Sequence, residues 1–398
     1  MQARQVKVVT SFAELEALRP FWEATQWHPG ADYEFFRMII QSRGNIISPC
    51  VLVMLEDEQP VALLAGRLER SQMKISLGYA TLLQLPVRQL ILIEGGFMGN
   101  RAAEVWEQFL KSLSGLFRQL DAKRLIVEQV KAGSAELQSV RRMFGRSRSS
   151  AMAGESEHWL MQMPRNWDDF LKSRSKKHRY WLKRLATTLD REFSGQWDIK
   201  IFTSEDEVGE FARAAELVAS KTYQRGLGVG FRLQDEVIQR MRNEARRQQL
   251  RGYVLFIRGE PKAFWHCFAY GSTLYLASTG YDPAYRDYEI GTVLLMRVFQ
   301  DHCGAKIENV DFGLGWAGYK QRFGSERYME SSICIFPKTL QGVVLNGLQG
   351  AAVFSAGMAK RLFKRSQLAQ QLKTFWRRKL ESRIKAPSDT LAETSPNL

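Results

Sequence analysis

The 398-residue chain has 57 Lys and Arg against 42 Asp and Glu, a net charge of +15, with 45% hydrophobic and 25% charged residues. That length provides for about two domains with sizeable cores, and the composition is that of a globular protein, not a disordered or fibrous one. Four scattered cysteines without a CxxC pair (Cys50, Cys267, Cys303, Cys334) and five histidines without ligand spacing argue against a disulfide framework or a metal site, and for a reducing cytoplasm. The opening MQARQVKVVTSF lacks the apolar core of a secretory signal, and no run of about 18 apolar residues is available to span a bilayer.

The positive charge is local. Residues 172–191 carry a net +7 and residues 360–385 a net +9, so the rest of the chain is close to neutral. A near-neutral body with two basic segments argues against a broad DNA-binding face and for two local anion-binding surfaces.

In chain order, residues 11–25 and 31–41 read as helices, with Pro20 breaking the first. Residues 50–55 and 61–68 read as strands joined by a polar turn ending at Pro60, and 80–85 and 90–94 as further strands. A glycine-rich loop over 95–100, a rival phosphate cradle, leads into a helix over 101–120 and a strand over 124–129. A loop or loose helix over 131–154 and a strand over 157–163 complete the first half. In the second half, Ser204 and Glu207 form a capping box, with Val208, Phe211, Ala215 and Val218 as the buried stripe of the helix it starts. Leu233, Val237, Met241 and Ala245 mark another helix. Residues 253–257 and 262–270 form a hairpin that resembles the earlier one at 51–66 with a one-residue slip. Two such hairpins, each followed by more strands and a glycine-led helix, read as a diverged tandem duplication of one α/β unit.

The most informative stretch is 274–324. A strand (274–280), a Tyr-rich loop (281–290) and a helix opened by Gly291 leave backbone N–H groups converging at a helix N-terminus, where a phosphate binds with little rearrangement. A second strand (307–312) then leads to a loop carrying Tyr319 and Lys320. Arg286-x-x-Glu289-x-Gly291 resembles a degenerate Arg/Gln-x-x-Gly-x-Gly/Ala loop of the GNAT acyltransferases, with Glu289 where the first glycine would sit. Taken in order, the Tyr285–Tyr288 loop, Gly291, Asp311-Phe312-Gly313 and Tyr319-Lys320-x-x-Phe323-Gly324 resemble one GNAT branch, over roughly residues 170–337. That branch holds the CelD/BcsL-type acetyltransferases of cellulose biosynthesis and the FemAB peptidyltransferases.

The resemblance implies tandem GNAT-like mixed-sheet α/β domains. The layout expected is a degenerate acceptor-side half over 1–165, an acyltransferase half over 166–337, a basic amphipathic helical extension over 338–385 and a disordered tail over 386–398. Acyl-CoA, in particular acetyl-CoA, is the implied co-substrate. Its pyrophosphate would lie on Arg286, Glu289, Ile290, Gly291 and Thr292. Tyr319 would protonate the departing thiolate, and Lys320 would stand by the reacting carbonyl. For the base, Asp282 at the loop mouth and His266, whose ordinary pKa suits neutral pH, are the two candidates. Tyr281, Tyr285 and Tyr288, with Lys176, Lys177 and Arg179 of the first basic segment, are the candidate substrate contacts.

The function so expected is N-acylation of an amine, such as an amino sugar in envelope or exopolysaccharide metabolism. The alternatives are a FemAB-like transferase using aminoacyl-tRNA, or a non-catalytic GNAT pair serving as a membrane-surface or assembly module. Lys360 to Ile384, with Leu362, Phe363, Leu368, Leu372, Phe375 and Trp376 among its basic residues, reads as a helix for an anionic membrane surface. A cytoplasmic protein, peripheral at the inner face of the membrane, is the localisation expected.

Overall fold

The computed structural model describes residues 4–77, 80–152, 154–226 and 230–365. The tail over 386–398 and the part of the basic extension beyond residue 365 lie outside the described residues. The chain forms two compact units, one from Met1–Met161 with Asp311–Arg361 and the other centred on Gln162–Val310. This division differs from the contiguous halves read from the sequence. Residues 311–337 fall in the first unit because the strand Glu326–Ile335 pairs there with Arg124–Lys131 and Ser156–Gln162.

In the first unit, Arg4–Val9, Val51–Glu56, Gln59–Leu77 and Ala80–Gly99 run antiparallel to their neighbours. Arg124–Lys131 then adds in parallel to Ala80–Gly99. A parallel neighbour needs a crossover, which the helix Ala103–Gln119 supplies. Its Val105, Trp106, Phe109, Leu110, Leu113, Leu116 and Phe117 recur at helical spacing and are all buried on the sheet. The glycine-rich loop expected over 95–100 is instead the end of a strand. Gly99, Met98 and Phe97 pair with Ala62, Leu63 and Leu64, and the positive φ of Gly95 (73°) and Gly99 (75°) absorbs the bends. It is therefore not a phosphate cradle. The stretch 131–154 contains a helix, Ala135–Arg148, capped by Ser134. Pro20 does break the first helical stretch, into Phe12–Ala17 and Arg19–Thr25.

In the second unit, Trp197–Phe202, Leu250–Ile257, Glu260–Tyr270 and Thr273–Tyr281 form an antiparallel meander. Helix Val208–Ser220 buries the expected stripe of Val208, Phe211, Ala215 and Val218 against it. Just ahead of this helix, Glu207 Oε2 accepts from the backbone N–H groups of Thr203 and Ser204.

The two hairpins match more closely than the sequence suggested. Each has a two-residue turn with positive φ at both positions, Asp57-Glu58 (49°, 63°) and Arg258-Gly259 (54°, 76°). This geometry follows the twist of the flanking strands. In each, the proline two residues after the turn pairs in register (Leu55 with Pro60, Phe256 with Pro261), and the register then jumps by one residue, over Val61 and over Lys262. The two turns are thus equal in length, and the one-residue slip read from the sequence disappears.

Gly280 lies near the end of the last meander strand. A Cβ there would sit 2.7 Å from Phe264 Cε1 and 3.2 Å from Thr222 Cγ2, and Phe264 is fully buried and unable to retreat. Gly280→Ala is expected to destabilise the second unit by about 1–3 kcal/mol, the cost of overpacking a filled core. Urea unfolding followed by tryptophan fluorescence would measure it.

Candidate active site

In the second unit, the strand Thr273–Tyr281 carries a bulge. His266 pairs with Ser278 but Cys267 pairs with Leu276, so Ala277 is an extra, exposed residue on this strand. A bulge takes its residue's backbone out of the ladder and re-aims it, which is why bulges gather beside active sites. The adjacent Ser278 Oγ is buried and has no hydrogen-bond partner among the described residues. Nothing in the alternating pattern of the sequence announces this bulge.

The strand ends at Tyr281, and Asp282 caps a short 3-10 turn, Pro283–Tyr288, by accepting from Ala284 N–H at 3.1 Å. Glu289 then adopts a left-handed conformation (φ 46°, ψ 40°), and helix Ile290–His302 begins. The N–H groups of Thr292 and Val293 donate to the Glu289 carbonyl at 2.8 and 3.1 Å. Those of Ile290 and Gly291 precede the first intrahelical bond and have no acceptor within the helix. The Gly291 carbonyl is held by Trp265 Nε1 at 3.2 Å, and Tyr281 packs beside Gly291, 3.4 Å from where a Cβ would lie. The departure at Glu289 has a physical reading. A glycine takes the left-handed conformation at no cost, and this chain keeps the conformation without the glycine.

The tyrosines of the loop pack rather than project freely. Tyr285 and Tyr288 lie 5.8 and 5.0 Å from the ring of Phe193, just past the end of the basic helix Lys176–Glu192, and Lys262 Nζ stands 5.2 Å over Tyr285. Arg286 is exposed. On the basic helix, Lys176 and Lys177 are exposed, whereas Arg179 turns back to the carbonyls of Lys172 and Arg174.

Neither expected base is poised as one. His266 is only 4% exposed, its Nε2 2.8 Å from Glu244 Oε2, and Arg240 holds the other oxygen of Glu244. Burial would raise the Glu244 carboxyl, but His266 and Arg240 hold it below its ordinary value. His266 is a satisfied core residue. Asp282 has both oxygens engaged, one by the Ala284 N–H and the other by Lys221 Nζ at 3.0 Å, with Lys262 Nζ at 3.9 Å.

Tyr319 and Lys320 lie in the first unit, on the short helix Gly318–Phe323. Tyr319 packs 6.1 Å from the ring of Phe312. Lys320 is 7% exposed and donates to the carbonyls of Gly313 and Leu314 at 3.1 and 2.7 Å. Burial pulls its ammonium down to about 8, against the attraction of Asp311.

Behind Lys320 lies a cluster the sequence did not reveal. His158 is held between Asp311 (Nε2 to Oδ1, 2.8 Å) and Glu330 (Nδ1 to Oε2, 3.2 Å) and is stacked on Tyr328. Burial works against its charge, but the two carboxylates outweigh it and push its pKa up to about 10. Asp311 Oδ1 also accepts from Gly313 N–H at 2.6 Å. A continuous chain of hydrogen bonds thus runs from Glu330 through His158 and Asp311 to the turn that clamps Lys320. Nearby, burial and repulsion from Glu330 raise Glu94 to about 8, and burial lowers His28, 3.6 Å from it, to about 4. His158, Asp311 and Glu330 are far apart in the chain, and no spacing rule joins them.

Residues 176–321 match the family model described as an acetyltransferase (GNAT) domain, a span that contains every candidate residue from Lys176 to Lys320. No curated protein matches the sequence. Among solved structures, FemX is 11% identical, with 85% of this chain and all of FemX covered at a TM-score of 0.53. A conserved protein of unknown function from Bacteroides thetaiotaomicron VPI-5482 is 10% identical, with 84% of this chain and all of that one covered at 0.50. A tandem GNAT protein from the clavulanic acid biosynthesis pathway is 10% identical, with 83% and 98% covered at 0.46. The fold is that of a double GNAT, a mixed α/β architecture, and residues 176–321 are similar to a GNAT acetyltransferase domain.

The His158 cluster sets a pH dependence with a definite sign. A histidine whose pKa rises from 6.5 to about 10 on folding stabilises fully below pH 6.5, and this stabilisation is lost as pH rises toward 10. Glu94, raised from 4.5 to about 8, adds a loss of stability between those values. His158→Gln is expected to destabilise the protein by roughly 3–5 kcal/mol at pH 6.5, as breaking a buried charge pair does, and to leave between pH 7 and 8 only the shallower fall that Glu94 contributes. Denaturant melts of both proteins at several pH values would check this; a wild-type slope surviving the substitution would disprove the assignment.

Proposed function

We propose that the protein is an N-acyltransferase that moves an acyl group, in particular acetyl, from acyl-CoA to an amine acceptor such as an amino sugar of envelope or exopolysaccharide metabolism. The observation that carries the reading is the turn at Glu289. It presents the Ile290 and Gly291 N–H groups at a helix N-terminus in the same unit as the bulge at Ala277. The first feature suits a pyrophosphate, because backbone N–H groups and the helix dipole both favour an anion there. The second supplies backbone groups removed from the ladder and the unpartnered Ser278 hydroxyl, which suit the amide chain and thioester of the donor. In the reaction the neutral amine nitrogen attacks the thioester carbonyl and a tetrahedral oxyanion forms; collapse re-forms the carbonyl and breaks the C–S bond, and the proton that the nitrogen gives up on becoming an amide balances the one taken up by the departing thiolate. Backbone N–H groups freed by the bulge would stabilise that oxyanion if directed at it, without reorganising. Asp282, with both oxygens engaged, acts here as the residue that shapes the loop.

Calorimetric titration of acetyl-CoA tests the reading. The wild type is expected to bind, and Gly291→Glu to weaken binding by roughly 10–100-fold, the worth of a charge-assisted hydrogen bond lost to a competing carboxylate. Glu289→Gly is expected to keep binding and to stabilise the fold by about 1 kcal/mol by relieving the left-handed conformation. The exposed Lys176 and Lys177 favour one other reading, a transferase drawing on aminoacyl-tRNA. Absence of acyl-CoA binding, together with tRNA binding that falls steeply with salt and on neutralising those lysines, would replace the first reading with that one.

A further inference from the structure

The helix Leu340–Arg365 is inside out. A helix docked on a protein in water turns its apolar residues inward and its polar residues outward. Here Asn346 and Gln349 are buried, their side-chain amides donating to the carbonyls of Arg146 and Met152 at 2.8 and 2.9 Å. Leu345 fills the core beside Met73, Ile126 and Phe336. Gly342 fixes the entry, because a Cβ there would come 2.2 Å from the Pro337 carbonyl oxygen. With that face pinned, the opposite one is exposed and apolar: Leu340 (83%), Val343 (43%), Val344 (52%), Leu348 (40%), Phe354 (70%) and Met358 (46%). These positions, with Gly347 and Ala351, follow one another at steps of three or four residues and make a single stripe along five turns.

The sequence shows what such a stripe is built to meet. No charged residue occurs from Thr339 to Ala359, and no Asp or Glu between Glu330 and Glu381, while residues 360–385 carry a net +9. Among the described residues no helix is long and apolar enough to cross a membrane. We propose that the outer face of the Leu340–Arg365 helix lies on an anionic lipid surface, its apolar stripe in the headgroup boundary and the adjoining basic segment against the phosphates. An apolar stripe joined to cations is the pattern of a helix that lies on a bilayer, with burial supplying most of the affinity and charge selecting the lipid. The charge also argues against a second copy paired in parallel. Parallel pairing of two such helices would bring the basic segments together without an acid to compensate. The contact thus begins about twenty residues before the stretch that the sequence marked for it.

The test is flotation of the full chain with vesicles of phosphatidylcholine alone and of phosphatidylcholine containing phosphatidylglycerol, at low and high salt. The wild type is expected to float with the anionic vesicles and to leave them as salt rises, and to bind the neutral ones weakly. Leu348→Glu with Phe354→Glu, both at exposed positions, is expected to cut binding to anionic vesicles about tenfold, since it removes two buried anchors. Its circular dichroism and acetyl-CoA titration should be unchanged. Wild-type protein that stays with the solution would overturn the proposal, as would a double variant that floats like the wild type. A concentration-dependent dimer, abolished by the same substitutions and insensitive to vesicles, would assign the stripe to a second copy instead.

Discussion

The first unit depends on a cation kept away from water. His158, 5% exposed, gives one ring nitrogen to Asp311 and the other to Glu330. An imidazolium in such a place is tolerable only because two carboxylates offset its desolvation, and each carboxylate in turn relies on it. The partners lie 153 and 172 residues further along the chain. The unit therefore cannot settle its interior until Gln162–Val310 has been passed and the chain has returned with Asp311 and the strand Glu326–Ile335. Contacts of such sequence separation carry the entropy of closing a long loop, which only a strong interaction at the far end can offset.

The same carboxylate organises the turn that holds Lys320. Asp311 Oδ1 is shared between His158 and the N–H of Gly313, and Gly313 and Gly315 turn the chain at φ 69° and 88°, values that a side chain would strain. The turned carbonyls of Gly313 and Leu314 then collect the Lys320 ammonium. Carbonyl dipoles hold a cation more weakly than a carboxylate does, so burial prevails and the lysine sits near pH 8. Lys262 in the second unit shows the contrast. Burial lowers it too, but Glu260 and Asp282 stand against it and it ends above its ordinary value. Two lysines of one chain are thus driven in opposite directions by what faces them.

Period and punctuation carried as far as local structure reaches. The stripe from Val208 to Val218, the break at Pro20 and the glycine-opened helix at 291 arise from residues a few positions apart, and the structure contains all three. Gly95 and Gly99 misled, because glycine marks a bulge inside a paired strand as readily as it marks a loop, and only the partner at 62–64 decides. His266 is a similar case. Its apolar run placed it in a strand, but whether it faced a solvent-filled site or Glu244 depends on a helix some twenty residues away. The bulge at Ala277 and the cluster around His158 are products of pairing and return, and neither leaves a trace in local spacing. The left-handed Glu289 shows a further limit: the conformation was kept where the residue that normally signals it was not.

The last helix extends this point from single residues to a whole element. A periodic stripe states that a helix has two faces, and it is silent about which one the protein keeps. For Leu340–Arg365 the decision falls to two amides. The Arg146 carbonyl belongs to the last turn of helix Ala135–Arg148 and so lacks an intrahelical partner, and Asn346 satisfies it; Gln349 does the same for Met152. These two donations, together with Leu345 in the core beside Met73, Ile126 and Phe336, fix the face that is turned inward. Leu340, Val344 and Phe354 are left outward as a consequence of that choice. Apolar surface so committed gains by being covered, and the adjoining cations are what the lipid contact proposed above adds to that gain.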